Sequence, residues 1–556
     1  MMAISTARVR KRTLRRIFRG RFGSEENPHI GSDEGRLVSP TALVCLVLLF
    51  GILGCARNPV SGRPEPVLTT EESEIAYGNQ ASRQVAKEIG LVENAELAAY
   101  IDSVGQRLAS HSPRGNLRYH FQVVEMAEPN AFALPGGHVY VSRGLLSLIN
   151  TESELAAILG HELGHVAARH SVQRQTASVP LMPLQIASAL GAAAAAVVSP
   201  ALGEMVANAG FMPTAFALAA YSREQERQAD RLGQEFAAAA GFDPSAMATF
   251  MQTLAREEAL SESGGTRTSF LSSHPSSPDR SQDASEFSRN LEMAADQPAP
   301  LGRAAFLREF DGILVGTGAG EGVAIGNRFL HPELGIALAF PEGWRIQNLR
   351  DAVNARSEDA QAQVTLEIVA RGEDPMEAAL AFGRELRLDN GPRALEIHGN
   401  PAARANLRFA EWGNARRLSL TWIAFDGLIY RFTGISSPQD FPPLLAVFEE
   451  SADSFHGLLP GERAEVEETR LRLVTPLPGE ALESLGERSG NRWSLERTAL
   501  SNGIEATEPL DPDHPIKIAH PEPYLGPEER GSAKEPAPAS DAASEPVDES
   551  GPGSRE

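Results

Sequence analysis

Leu155, Ile158, Leu159, Leu163 and Val166 recur at helical spacing, and Thr151-Glu-Ser-Glu154 ahead of them reads as a capping box, so a helix is expected from residue 152 onward. Ala95 to Ser110 is a second stretch of helical period, and Thr69 and Thr70 before Glu-Glu-Ser-Glu mark a further helix start. Residues 65–295 as a whole are Ala-rich and amphipathic, with few β-branched runs. The period then changes from helical to alternating. Gly335 to Phe340, Gln363 to Ile368 and Leu418 to Ile423 alternate like half-buried strands, and Asp426-Gly427 joins the last of them to Leu428–Thr433 as a hairpin. With helical stretches near Met376–Leu386 and Pro442–Phe455, residues 301–458 make a small α+β sandwich unit. The fold class expected is therefore α+β and multidomain, led by a mainly helical domain. No internal repeat is evident.

The ends differ from the middle. Ala42 to Gly54 is a nearly pure apolar run, too short for a spanning helix and suited to the core of a signal peptide; the rival is an uncleaved anchor. It ends in Ile52-Leu53-Gly54-Cys55, which resembles a bacterial lipobox. That resemblance implies lipidation of Cys55, a periplasmic location and, because Ala56 and not Asp follows, sorting to the outer membrane. The basic cluster Arg8 to Arg21 stands well upstream of the apolar run and is read as a start codon set too early rather than a twin-Arg signal. Residues 466–519 form a third compact segment, and residues 520–556, rich in Pro, Glu, Ser, Ala and Asp, read as a disordered acidic tail.

The 556 residues carry a formal charge of −22, although residues 1–36 hold more basic than acidic groups. Such an acidic body excludes nucleic acid as a partner, since phosphate binding needs a basic footprint. The only cysteines, Cys45 and Cys55, sit in the leader, which excludes a disulfide framework and a thiolate zinc finger. Gly316-Thr-Gly-Ala-Gly-Glu-Gly322 completes no phosphate-loop pattern and reads as a flexible linker.

The chemistry concentrates at His161-Glu-Leu-Gly-His165. Histidines at i and i+4 lie on one helical face, about 40° apart around the axis, and can share one Zn²⁺. Glu162 stands on the flank of the pair, where a carboxylate reaches a zinc-bound water whose pKa has fallen to about 7. With 13 histidines in the chain, a chance H-E-x-x-H is expected on the order of 0.02 times. Against the bland alternative, a surface helix with unrelated histidines, stand the capping box and the apolar spacing around them. Zinc needs a third protein ligand. Ser222 to Asp230 begins another helical run in which Glu226 and Asp230 share a face: Glu226 as ligand, Asp230 as acceptor of a ligand histidine's N–H. Spacing alone does not choose Glu226 over Glu224, and a solvated charged face is the common meaning of such a run.

H-E-L-G-H followed by Ser-Arg-x-x-Glu-x-x-x-Asp resembles the gluzincin metallopeptidases that include the CAAX prenyl protease, the HtpX heat-shock protease, the mitochondrial overlapping-activity protease and the soluble periplasmic β-barrel assembly-enhancing proteases, the last group most of all. The likeness covers roughly residues 65–295, less than half the chain, and implies a zincin-type zinc metalloendopeptidase with one Zn²⁺ per chain. By the family pattern the third ligand is Glu226 and the supporting acid Asp230. Asn130 to Gly144 resembles the family's stretch ahead of the metal helix; within it Gly137, His138, Val139 and Tyr140 read as an extended edge strand that pairs with substrate, or as a core strand. Ser273-His274-Pro275 with Arg280 resembles a later family motif. It implies that His274 steadies an oxyanion or fills the metal's fourth position at rest, and that Arg280 stabilises developing charge or braces the fold. Gln173 to Tyr221, cut by Pro183, Pro200 and Pro213, reads as amphipathic lid helices.

Residues 466–519 resemble a degenerate LysM βααβ module, with Gly479-Glu480 where the usual Gly-Asp turn stands, which implies peptidoglycan as a partner. The functional expectation is a lipid-anchored envelope endopeptidase that cleaves unfolded or misassembled envelope proteins. The rival class is a membrane-tethered chaperone or peptidoglycan-associated binding protein with a latent or structural zinc site.

Overall fold

In the computed structural model the described residues are 55–66, 70–178, 220–262, 269–275, 278–349, 352–386, 388–411 and 414–526. The leader before Cys55, most of the lid segment and the tail beyond residue 526 lie outside them. Among the described residues no helix is long and apolar enough to cross a membrane.

The first domain opens with α1 (Glu71–Glu88), capped by Thr70, and α2 (Ala95–Ala109), capped by Asn94. A small sheet follows, formed by β1 (His120–Val124), β2 (Ala131–Leu134) and β3 (His138–Ser142) in the order β1-β3-β2. β3 runs parallel to β1, with His120 beside His138, and antiparallel to β2, with Leu134 opposite His138. The strand expected at the edge is therefore the middle one, and its backbone is already paired on both sides. Gly137, His138, Val139 and Tyr140 are all buried there, which corrects the edge-strand reading and leaves the core-strand one.

Helix α3 (Glu152–Ala167) starts at the expected capping box: Thr151 accepts from the Glu154 amide, and the Glu154 carboxylate accepts from the Thr151 amide. Every residue of α3 is buried, so it is a central helix rather than a half-exposed one. Around it lie α4 (His170–Ser178), α5 (Arg223–Ala239), α6 (Ala246–Glu262), the short α7 (Ser269–Ser273) and α8 (Pro278–Ser288). α5 has its own capping box, Ser222 with Gln225.

The α+β unit begins later than its expected boundary. Helix α9 (Arg303–Arg308) and the turn after it place Phe306, Leu307, Phe310 and Ile313 in the same core as Leu155, Ile158 and Leu159 of α3. Gly316–Gly322 is fixed rather than free: Arg143 donates to the Gly316 carbonyl at 2.6 Å, and Ala319 is buried. The sheets then follow. β4 (Val323–Ile325), β5 (Arg328–His331), β6 (Ile336–Ala339) and β14 (His456–Gly457) pair in the order β14-β6-β5-β4. A seven-stranded antiparallel sheet contains β7 (Arg345–Leu349), β8 (Ala352–Arg356), β9 (Gln363–Arg371), β10 (Arg393–Ile397), β11 (Asn400–Glu411), β12 (Asn414–Phe425) and β13 (Leu428–Ser436), ordered β10-β11-β12-β13-β9-β8-β7. The alternation read from the sequence serves two faces. Leu420 and Trp422 of β12 pack with Ala379 of α10 (Pro375–Glu385), while Ile423 packs in the other core with Phe448 of α11 (Phe441–Asp453). Asp426 and Gly427 both take positive φ, 48° and 71°, as a two-residue turn between β12 and β13 requires.

The third segment is β15 (Glu467–Val474), α12 (Leu482–Ser489), α13 (Leu495–Asn502) and β16 (Ile516–Pro523), with the two strands antiparallel. β16 continues past residue 519, the expected end of this segment, and Tyr524 is buried. The segment is docked on the first domain. Leu471 joins the core of α3, and the fully buried Lys517 donates its Nζ to the carbonyls of Ser147 (2.9 Å) and Ile149 (2.7 Å), just ahead of α3.

Candidate metal centre

Two helices set the site. α3 and α5 pack at glycines: a Cβ on Gly160 would lie 2.9 Å from the Gly233 carbonyl oxygen, and one on Gly164 would lie 2.9 Å from that of Ala229. Removing those side chains brings the acidic face of α5 onto the histidines of α3. His161, His165, Glu226 and His274 are buried, and each offers a ligand atom within 4.8 Å of the others. His161 Nε2 is 3.0 Å from His165 Nε2 and 3.2 Å from His274 Nδ1. Glu226 Oε1 lies 3.5 Å from His165 Nε2 and 3.1 Å from His274 Nδ1. Glu224, the alternative that spacing left open, is exposed.

Asp230 sits behind His161. Its Oδ1 is 2.9 Å from His161 Nδ1. A carboxylate only accepts, so His161 carries its proton on Nδ1 and presents a lone pair at Nε2. Arg280 donates to both oxygens of Asp230, at 2.8 and 2.9 Å, and its Nη1 is 2.8 Å from Glu226 Oε2. It bridges the two acids of α5.

These residues fit a divalent cation. Three imidazole nitrogens and a carboxylate oxygen converge in one buried cluster, and on its flank the buried His274 Nε2 has no hydrogen-bond partner among the described residues. Glu162 Oε1 and His274 Nε2 stand 3.3 Å apart. Burial raises the Glu162 pKa above the ordinary carboxylate range, although His274 and His161 pull it down. For Glu226 burial pushes upward too, yet the facing histidines outweigh it and hold the carboxyl below its usual range. Asp230 is likewise held down, by its bonds to His161 and Arg280 against the effect of burial. Burial lowers His165 well below an ordinary imidazole. His274 is raised: burial opposes its charge, but Glu226 and Glu162 prevail. The donor set of two imidazoles and a carboxylate matches zinc.

Beside the cluster opens a cavity of about 500 Å³, lined by Ile158, Met247, Phe250, Met251, Leu254 and Phe270, with His161, His274, Asp230 and Arg280 on one wall. The residues named on β3 lie elsewhere. His138 Nε2 is 3.0 Å from Asn79 Oδ1, and its ring stacks on His120. It is β2 that approaches the site, with the Ala133 backbone near Glu162. Three residues of the site escaped the sequence reading. Tyr221 stacks on His165 at 3.8 Å between ring centres, His170 faces His165, and Gln228 faces His170. Only His170, five residues after His165, left a signal, a third histidine in a short span.

Residues 95–297 match the model of Peptidase family M48. The beta-barrel assembly-enhancing protease of Escherichia coli (strain K12) is 33% identical over 181 residues, 33% of this chain and 37% of that protein. The putative beta-barrel assembly-enhancing protease of Vibrio cholerae is 30% identical over 247 residues, 44% of this chain and 50% of its own length. The mitochondrial metalloendopeptidase OMA1 of Schizosaccharomyces pombe is 31% identical over 227 residues, 40% of this chain and 63% of that one. The chain thus spans less than two thirds of each of these relatives, and the likeness concerns the domain that holds the cluster. That domain is the part that matches peptidase family M48.

Proposed function

We propose that this chain, through its family M48 domain, is a zinc-dependent endopeptidase of the bacterial envelope, lipid-anchored at Cys55, facing the periplasm and acting on unfolded or misassembled envelope proteins. The observation that carries the reading is the buried Glu162 beside a convergent His161, His165 and Glu226. Metal binding alone has no use for Glu162; peptide hydrolysis does.

Zinc held by His161, His165 and Glu226 supplies Lewis acidity toward the scissile carbonyl and toward water. Glu162 takes the proton of the attacking water and returns it to the leaving amine nitrogen. Burial raises the pKa of its carboxyl, which favours its holding the proton between the two transfers. Asp230 holds the His161 ring in its ligating tautomer, and Arg280 fixes Asp230. An extended substrate pairs along β2, which has a strand neighbour on one side only among the described residues. An apolar side chain of that substrate enters the cavity behind His161, which favours unfolded chains, since folded proteins bury such groups. The name of the E. coli relative, a beta-barrel assembly-enhancing protease, supports envelope proteins as the substrate class. The lipid anchor rests on the leader, and glycan binding on the βααβ order of residues 467–523.

One observation favours a latent state of the same site. His274 Nδ1 faces the ligand cluster while Nε2 faces Glu162, so one ring would add a ligand to a metal held there and engage the base at once. We read this as the resting state, from which His274 withdraws when substrate binds. The binding-protein reading corresponds to His274 never withdrawing.

The full chain, purified with zinc, should cleave an unfolded protein such as casein. Cleavage should stop with a chelator and return with added zinc. Casein cleavage that persists in the chelator would overturn the proposal.

A further inference from the structure

Among the described residues no carboxylate stands behind His165 Nδ1 to set its tautomer, as Asp230 does for His161. Its Nδ1 lies instead 2.9 Å from the Nδ1 of His170, a ring with no exposed surface at the start of α4. His170 Nε2 lies in turn 3.0 Å from the Gln228 side-chain oxygen on α5, two residues past the ligand Glu226. Tyr221 stacks on the His165 ring and contacts Ser171 Oγ at 3.0 Å, which fixes the plane of His165.

The direction of this chain follows from the chemistry of its ends. An amide oxygen accepts only, so His170 Nε2 carries a proton. Binding a metal through Nε2 leaves the His165 ring proton on Nδ1, so the facing His170 Nδ1, 2.9 Å away, is the acceptor. The lone pair of His165 then sits on Nε2, 3.0 Å from His161 Nε2, inside the cluster. Reversing the polarity of the far end would reverse every step and place a hydrogen where a metal must bind.

We propose that Gln228 and His170 are positioning residues that fix His165 as the tautomer able to bind metal through Nε2. This rests on the metal reading of the cluster and adds to it a hydrogen-bonded relay that joins the ligand helix α3 to α5 through α4.

The test is the zinc dissociation constant of the full chain, by competition with a chromogenic chelator, with folding of each variant checked by thermal melting. His170→Ala should weaken zinc binding by about 10–100-fold. His170→Asn should recover most of that loss, because its side-chain oxygen can accept where Nδ1 did. The decisive pair is Gln228→Glu and Gln228→Lys, similar in length and opposite in polarity. The first should bind zinc as the parent does; the second, a donor only, should weaken binding at least as much as His170→Ala. Absorption of the cobalt-substituted proteins should report the same order. Equal affinities for the Glu and Lys variants, or no rescue by Asn, would overturn the relay while leaving the metal site standing. A parent chain that binds no zinc would bring down the metal reading, and the relay with it.

Discussion

Gly233 of α5 lies against His161 of α3 so closely that a Cβ on the glycine would fall 2.8 Å from the His161 backbone nitrogen. The ligand histidine and the acid-bearing helix are in register because neither backbone is held off by a side chain. Gly233→Ala should therefore separate α3 from α5. Alanine is preferred to glycine in a helix by about 1 kcal/mol. A net loss of about 1–3 kcal/mol, the usual effect of overpacking, would show that the contact outweighs that preference. A thermal melt at saturating zinc measures it; an unchanged or raised Tm would contradict the close packing.

Asp230→Asn should leave the fold intact and weaken zinc binding by about 10–100-fold. The amide still accepts from His161 Nδ1, but Arg280 loses one of its two anions and keeps only Glu226, which it then draws from the metal. Chelator competition reads the effect. Unchanged affinity would show that Asp230 braces the fold alone.

His274→Ala should release the resting state. Casein cleavage should rise and zinc affinity should fall, because a fourth protein ligand is removed and Glu162 is freed. A drop in cleavage of tenfold or more with zinc retained would instead assign His274 to the oxyanion.

Burial, helped by the facing His120, holds His138 down to about 4. Unfolded, it titrates near 6.5. A depressed pKa of this kind contributes stability that is complete above the unfolded value and is lost as pH falls through about 4. The parent should lose more Tm than His138→Gln between about pH 7 and about pH 4.5, since glutamine has no such titration. Parallel loss in both proteins would place the acid sensitivity elsewhere.

The parts of this molecule set by local pattern were legible. The capping box at Thr151 and Glu154, the Asp426-Gly427 hairpin and the helical spacing of α3 are statements about neighbours in sequence, and each appears in the structure. Glu226 and Asp230 were legible because four residues on a helix share a face, although only burial separates Glu226 from Glu224. What failed was set by long-range pairing. A short run such as Gly137–Val141 carries no mark of whether one neighbour or two will pair with it, and β3 gained two. The join between segments was hidden for the same reason: Phe306, Phe310 and Leu471 look like residues of their own units, yet they finish the core of α3. His170 was passed over because a histidine outside the motif has no spacing rule; its meaning comes from Gln228, 58 residues away.

The most direct measurement of the central claim is made on Glu162→Gln, with zinc content and casein cleavage followed on the same preparation. Glutamine keeps the size of the side chain and takes away its capacity as a base. The variant should retain the parent's zinc, since Glu162 is outside the ligand cluster, and lose cleavage by at least about 100-fold. Full zinc with undiminished cleavage would contradict the account.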